Sequence, residues 1–305
     1  MRAEFGEEIK QLVAKDDKIV FLTGDLGFMA LEGIREAMGS RFVNAGVSEQ
    51  NMITMAAAMA SEGLTPICYS IAPFTVFRPA EQIRLDVCLH NQNVKIVGNG
   101  GGYGYGIMGS THHAVEDIGV LSCFQHMVCY IPFCNEDVSD VVTAMMKRKG
   151  PAYLRLGRGA KPERIKLPKY QAIRRVVTGG KVTVISVGPV ALNAIAANER
   201  LESKTKNAVD IFVVSEIPVL KLTKELVDSL ERTKKLLIVE EHVSRGGLGE
   251  NISLLLMKAG ISVKTIHLCA RGYENGRYGS QDYHLEQNEL DETSISRNIE
   301  ELIYE

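Results

Sequence analysis

Short apolar runs alternate with helical patterns along nearly the whole chain, and this alternation narrows the folds open to it. Residues 18–22, 65–69, 94–97, 127–131 and 152–154 read as strands in the first half, and residues 181–187, 209–214, 235–239 and 263–267 in the second. Helical spacing covers 2–14, 31–38, 81–89, 136–148, 191–201, 223–230, 248–258 and 291–302 between and around them. Strands that are apolar on both faces and each followed by a helix predict parallel sheets covered on both sides. The expected fold class is therefore α/β, with two tandem open, mostly parallel α/β sheet domains. The first spans 1–157 and the second 180–305. The segment 158–179 is rich in charge, Pro and Gly, has no clear period, and reads as a linker.

A chain of 305 residues is long enough for two such cores. Its net charge is −2 with Lys and Arg dispersed, so no basic stripe points to nucleic acid. The N-terminus is an amphipathic helix start without an apolar signal core. The least charged long stretch, 118–135, contains Ser, Gln, His and Pro and reads better as a helix end and a strand than as a membrane span. Six cysteines show no CxxC pairing and have apolar neighbours, which suits reduced thiols. A cytoplasmic protein with no nucleic-acid or membrane partner is the expectation.

Within this frame one carboxylate stands out. Glu49 lies in the polar turn Ser48-Glu49-Gln50-Asn51, directly ahead of a helical stripe made by Met52, Met55, Ala56, Met59 and Ala60. An acid at the mouth of a buried helix is costly unless it has a partner or a task. Phe74 and Phe77, three apart and next to Arg78, suit either a stacking platform or plain core packing. The loop Gly98-Asn99-Gly100-Gly101-Gly102-Tyr103-Gly104 follows a strand but is not followed at once by a helix, so it is a weak nucleotide fingerprint. It suits close approach of backbone to a ligand or a second subunit. His112-His113, between this loop and a helix, suits a polar pair facing a cleft or an ordinary cap, and is poor as a metal site because no third ligand is spaced nearby. No metal ligands are assigned. His242 and the glycines at 246, 247 and 249 read as local structure.

Taken together, GVSEQNMITMAAAMA, FTVFRPAEQIR, GSTHHAVEDIGVL and GPAYLRLGR resemble the C-terminal half of transketolase in sequence and order, and VEEHVSRGGLGENI resembles that family's C-terminal domain. The resemblance implies a pyrimidine-binding domain followed by a transketolase C-terminal-like domain, and thiamine diphosphate as cofactor. It places Glu49 on the catalytic glutamate, which hydrogen-bonds a ring nitrogen of the cofactor's aminopyrimidine and so activates it. It places Phe74 on the ring that stacks against the pyrimidine, and Phe77 on a neighbouring wall of the cofactor site. His112 falls on a histidine that contacts the donor sugar and serves in catalysis. Arg2, Arg78, Arg155 and Arg158 fall at or near positions that bind substrate phosphate. Met108 stands where the family usually has an aspartate that reads a donor hydroxyl, and Gly100 near a phosphate-contacting histidine. These departures imply altered donor preference.

The family's Gly-Asp-Gly…Asn motif, which holds Mg2+ and the cofactor diphosphate, is not supplied by Thr23-Gly24-Asp25-Leu26-Gly27. The resemblance therefore implies one subunit of a split transketolase. An N-terminal subunit would hold the Mg2+ and share the thiamine diphosphate, in an α2β2 assembly. It would transfer a two-carbon ketol unit from a ketose to an aldose. A β subunit of a 2-oxo-acid dehydrogenase and a non-catalytic stabilising subunit are the alternatives, and a nicotinamide dehydrogenase is a distant third.

Overall fold

Two sheets organise the chain in a computed structural model, which describes residues 1–27, 31–160, 162, 165–201, 205, 207–273 and 275–304. The strands of the first half are β1 (Ile19–Thr23), β2 (Phe42–Asn44), β3 (Thr65–Ile71), β4 (Lys95–Asn99), β5 (Val128–Tyr130) and β6 (Ala152–Leu156). Those of the second are β7 (Ile173–Val177), β8 (Val182–Val187), β9 (Val209–Val214), β10 (Glu216–Ile217), β11 (Lys235–Val243) and β12 (Lys264–Ala270). Among the described residues, the seven-stranded sheet has the order β10-β5-β6-β4-β3-β1-β2, and the five-stranded sheet the order β12-β11-β8-β9-β7. All pairings are parallel except β10 with β5 and β7 with β9. The expected pair of mostly parallel α/β sheets is thus observed. β1, β4, β6, β8 and β9 are buried almost throughout, as strands covered on both faces must be.

The helices are α1 (Arg2–Val13), α2 (Glu32–Met38), α3 (Glu49–Ser61), α4 (Ala72–Val76), α5 (Ala80–Gln82), α6 (Asp117–Ser122), α7 (Val138–Lys147), α8 (Val190–Leu201), α9 (Lys224–Thr233), α10 (Leu248–Ala259), α11 (Gln281–Gln287) and α12 (Glu292–Tyr304). A π-helical segment, Ile83–Leu89, continues directly from α5. α3 buries Glu49, Met52, Ile53, Ala56 and Ala57, an i, i+3, i+4, i+7, i+8 face, while Met55, Met59 and Ala60 pack at its edge. Its small residues let it lie close on β3.

Two departures from the sequence expectation concern how the halves join. The stretch 158–179 contributes β7, so its end belongs to the second sheet; residues 161, 163 and 164 of this stretch lie outside the described residues. β10, from the second half, adds an antiparallel edge to the first sheet through Glu216 opposite Tyr130 and Ile217 opposite Cys129. The two halves therefore share backbone hydrogen bonds. They also share a buried ion pair between Arg174 on β7 and Asp137 ahead of α7. Among the described residues no helix is long and apolar enough to cross a membrane.

Candidate active site

Parallel strands leave their carboxyl ends facing one edge of a sheet, and ligands of open α/β folds bind there. At that edge β1 ends in Thr23-Gly24, β3 in Ser70-Ile71, and the turn after β2 leads into α3. Glu49 sits where these ends converge and is only 3 % exposed. Its Oε1 accepts from Ser70 Oγ at 3.3 Å and its Oε2 accepts from Arg78 Nη1 at 2.9 Å. Gly24 faces the same carboxylate; a Cβ there would stand 3.5 Å from Oε1 and 3.4 Å from Ser70 Oγ. Such a Cβ would be in ordinary van der Waals contact with the acid, and the early turn of α3 favours its negative charge.

The aromatic wall beside the acid is Phe74, on α4. The Arg78 guanidinium carbon lies 3.9 Å from its ring centroid. His112 packs edge-on to Phe74 at 5.2 Å between centroids and lies 5.8 Å from the Tyr105 ring. Thr111 Oγ1 is 2.9 Å from His112 Nδ1, and Asn99 Nδ2 donates to Tyr105 OH at 2.8 Å. Glu49, Phe74, Arg78 and His112, distant in sequence, thus gather into one cluster. Phe77, adjacent to Arg78 in the chain, is 38 % exposed, and Met108 is exposed on a short 3-10 turn with Ile107. Arg158 is exposed on the segment after β6. It lines a cavity of about 280 Å³ together with Asn193, Glu241 and Gln281 of the second half.

Arg155 departs from expectation. It is buried, and Nε donates to Asp117 Oδ2 at 3.0 Å while Nη2 donates to the carbonyls of Ala114 and Glu241 at 2.7 and 2.9 Å. Tyr153 OH donates to the same Asp117 oxygen at 2.7 Å. A guanidinium committed to these interior acceptors is a strut between the halves, and is not available to a substrate phosphate. The sequence offered no sign of this, since strand alternation does not say which polar residue finds a buried partner.

His112 and His113 also do not act as a pair. His113 is buried, with Nδ1 2.7 Å from Tyr273 OH and Nε2 2.7 Å from the Gly106 carbonyl. Burial lowers its pKa. Around it Tyr103 stacks on His284 at 4.7 Å and 13°, and Tyr103 OH donates to the Gly272 carbonyl at 3.0 Å. The Tyr103 amide donates to Glu241 Oε1 at 2.8 Å, and Gln281 Nε2 donates to the same oxygen at 2.9 Å. Burial pushes the Glu241 carboxyl up, against the pull of Arg155. This clasp from the second half holds the glycine-rich loop that leads to His112. Ser70, Gly24 and the clasp were missed in the sequence; the one available signal was the run of three tyrosines and His284 within 271–288.

The profile described as transketolase, pyrimidine binding domain, matches residues 1–163. The chain belongs to the transketolase family. The family's C-terminal domain profile matches residues 171–287, which agrees with β7 opening the second sheet. The B subunit of the apulose-4-phosphate transketolase of Actinobacillus succinogenes is 30% identical over 244 residues, 78% of this chain and 76% of that protein. A putative transketolase C-terminal section of Methanocaldococcus jannaschii is 30% identical over 309 residues, 99% of this chain and 95% of that one. A solved structure of a split gene transketolase, described as an inactive beta4 tetramer, superposes with a TM-score of 0.85 at 24% identity, covering 99% of this chain and 97% of that one. The fold is shared, and the chain corresponds to the C-terminal half of a transketolase.

Proposed function

We propose that this chain is the C-terminal subunit of a split transketolase that transfers a two-carbon ketol unit from a ketose donor to an aldose acceptor. The observation that carries this reading is the buried Glu49 carboxylate joined through Arg78 to the Phe74 ring, whose face the Arg78 guanidinium covers. A carboxyl group near an aromatic face fits a planar ring whose edge nitrogen shares a proton with it, as the aminopyrimidine of thiamine diphosphate does. When bound, that cofactor supplies the carbon nucleophile to which the ketol unit is attached. Glu49 holds a proton between Oε2 and the ring nitrogen, Ser70 orients Oε1, and Phe74 stacks on the ring. Phe77 extends the wall. His112, held by Thr111 and backed by Phe74, faces the donor and relays a proton at its free ring nitrogen. Arg158 and Arg78 take the donor's anionic end, and Met108 replaces a polar reader of a donor hydroxyl with an apolar contact.

A partner subunit completes the site by holding the diphosphate and Mg2+. Supporting this, Val47, Phe77, Ile107 and Met108 expose apolar surface on the segments that carry Glu49, Arg78 and His112. Exposed apolar residues clustered about a functional group mark an interaction surface. Relatives named as one of the subunits of an apulose-4-phosphate transketolase agree with this division, and an α2β2 assembly in the cytoplasm is the arrangement proposed. The test is to combine the chain with its N-terminal counterpart, thiamine diphosphate and Mg2+, and to follow ketol transfer from ketose donors, with pyruvate as a control donor. Activity is expected only with both chains, and Glu49→Gln is expected to lower kcat about 100- to 10,000-fold. Full activity of the lone chain, or an unimpaired Glu49→Gln enzyme, would refute the reading.

A further inference from the structure

Arg78 does not point toward an outlying anion. Its Nη1 reaches Glu49 Oε2 at 2.9 Å, and its guanidinium carbon lies 3.9 Å above the Phe74 centroid. These two contacts, a carboxylate at the edge and an aromatic face beneath, are the contacts that define the pyrimidine seat. A guanidinium is planar, cationic, stacks on aromatic rings and donates in its own plane. A pyrimidine whose ring nitrogen shares a proton with a carboxylate has the same four properties. The two groups require the same oxygen and the same ring face, so they cannot occupy the seat together.

We propose that Arg78 is a resident competitor for the pyrimidine seat, which sets the chain's affinity for the cofactor. The inference rests on the reading of Glu49 and Phe74 given above. The guanidinium pairs a carboxylate that is 3 % exposed and would otherwise be buried beside a single neutral hydroxyl; such a charge is expensive without a partner. The Arg78 side chain is itself 45 % exposed, so its way out to solvent is open. It stands between α4 and α5, and rotation of its own side chain suffices to vacate the ring. Apparent affinity for the pyrimidine then equals the intrinsic affinity scaled by the fraction of molecules with the seat open. Once displaced, the cation remains at the mouth of the site, where an anionic substrate group can meet it. Cofactor entry thus precedes full formation of the anion site.

The test uses the full chain without partner and 4-amino-2-methylpyrimidine as probe, with binding followed by calorimetry or saturation-transfer NMR and stability by thermal unfolding. Arg78→Ala is expected to bind the probe on the order of tenfold more tightly than wild type. It is also expected to melt at lower temperature, with the loss reversed by saturating probe. Arg78→Lys keeps the charge but has no planar face to lay on Phe74, and should bind several-fold more tightly while staying folded. Glu49→Gln should abolish binding in each background. Equal or weaker binding by both Arg78 variants, with Glu49 still required, would overturn the competitor and leave the seat intact. Binding by none of the proteins, or binding indifferent to Glu49→Gln, would overturn the seat and the competitor together.

Discussion

His112 and His113 are neighbours in sequence with opposite fates. The ring of His112 meets Phe74 and Tyr105 at the cluster, whereas His113 is locked between Tyr273 and the Gly106 carbonyl. His112→Asn is expected to raise the donor KM and lower kcat, together about 10- to 100-fold, with thermal stability within about 0.5 kcal/mol of wild type. His113→Ala should instead lower stability by about 1–3 kcal/mol, read by urea unfolding, because it strips a partner from the buried Gly106 carbonyl and from the half-buried Tyr273 hydroxyl. A buried lysine gives a second contrast. Lys95 is fully buried on β4, its Nζ donating to the carbonyls of Arg148 and Gly150 at 2.8 and 2.9 Å. Burial, with the nearby Arg148 and Lys149 charges, lowers its pKa to about 7. The unfolded amine keeps its proton to about pH 10.4, so above pH 7 the unfolded chain binds more protons and stability rises with pH. The contribution is smallest below pH 7, where both states are protonated. Relative to Lys95→Met, wild type should therefore gain stability from pH 7 to 9, by at most about 1.4 kcal/mol per unit. A difference that stays flat across that range would contradict the burial argument.

The glycine-rich loop is a segment whose shape is imposed by its neighbours. Gly102 has φ +65°, and a Cβ there would come within 2.3 Å of the Glu241 carboxyl carbon. Gly106 has φ +47°, and a Cβ there would lie 3.1 Å from the Gln281 nitrogen and the Gly279 carbonyl. Glycine is needed at both because the second half lies directly against the loop. Tyr278 OH donates to Ser110 Oγ at 3.1 Å and extends the support toward His112. Gly102→Ala is expected to cost more than about 2 kcal/mol through strain and the broken Tyr103–Glu241 contact. Tyr273→Phe keeps the ring and loses only the hydroxyl facing His113, a cost of about 1 kcal/mol. Hydrogen exchange across 100–113 should speed up in both variants and stay unchanged in α1, whose buried face packs in a separate core cluster with β1 and α7. Unchanged protection of the loop would mean the clasp does not hold it.

Across the molecule, the halves are tied by features that neither needs alone: β10 on the first sheet, the Arg174–Asp137 pair, and Arg155 reaching from Asp117 to the Glu241 carbonyl. Tyr170 OH adds a bond to Glu216 at 2.8 Å beside that shared edge. Removing one member of a buried ion pair leaves the other charge without compensation. Asp137→Ala is therefore expected to cost about 3–5 kcal/mol by urea unfolding. The intact chain should unfold in one calorimetric transition, since loss of either sheet strips partners from the other. Two resolved transitions would show that these ties are weak.

The strand–helix alternation, the parallel sheets and Glu49 at the head of a close-packing helix were legible in the residues, because burial on both faces and helical periodicity are local patterns. Phe74 and His112 stood out as residues with open alternatives, and only the resemblance gave them roles; their gathering with Arg78 beside Glu49 depends on strand ends that β1, β3 and β4 bring to a common edge. Other assignments required long-range partners. β7 lay hidden in a charged stretch because its mate, β9, comes more than thirty residues later. β10 is two residues long and carries no period. Arg155 and Arg78 look equivalent as sequence, yet one is enclosed by Asp117 and two carbonyls while the other reaches Glu49. Which acceptor a guanidinium finds is set by the packing of distant segments, and that packing turns Glu49 from a costly acid into a paired one.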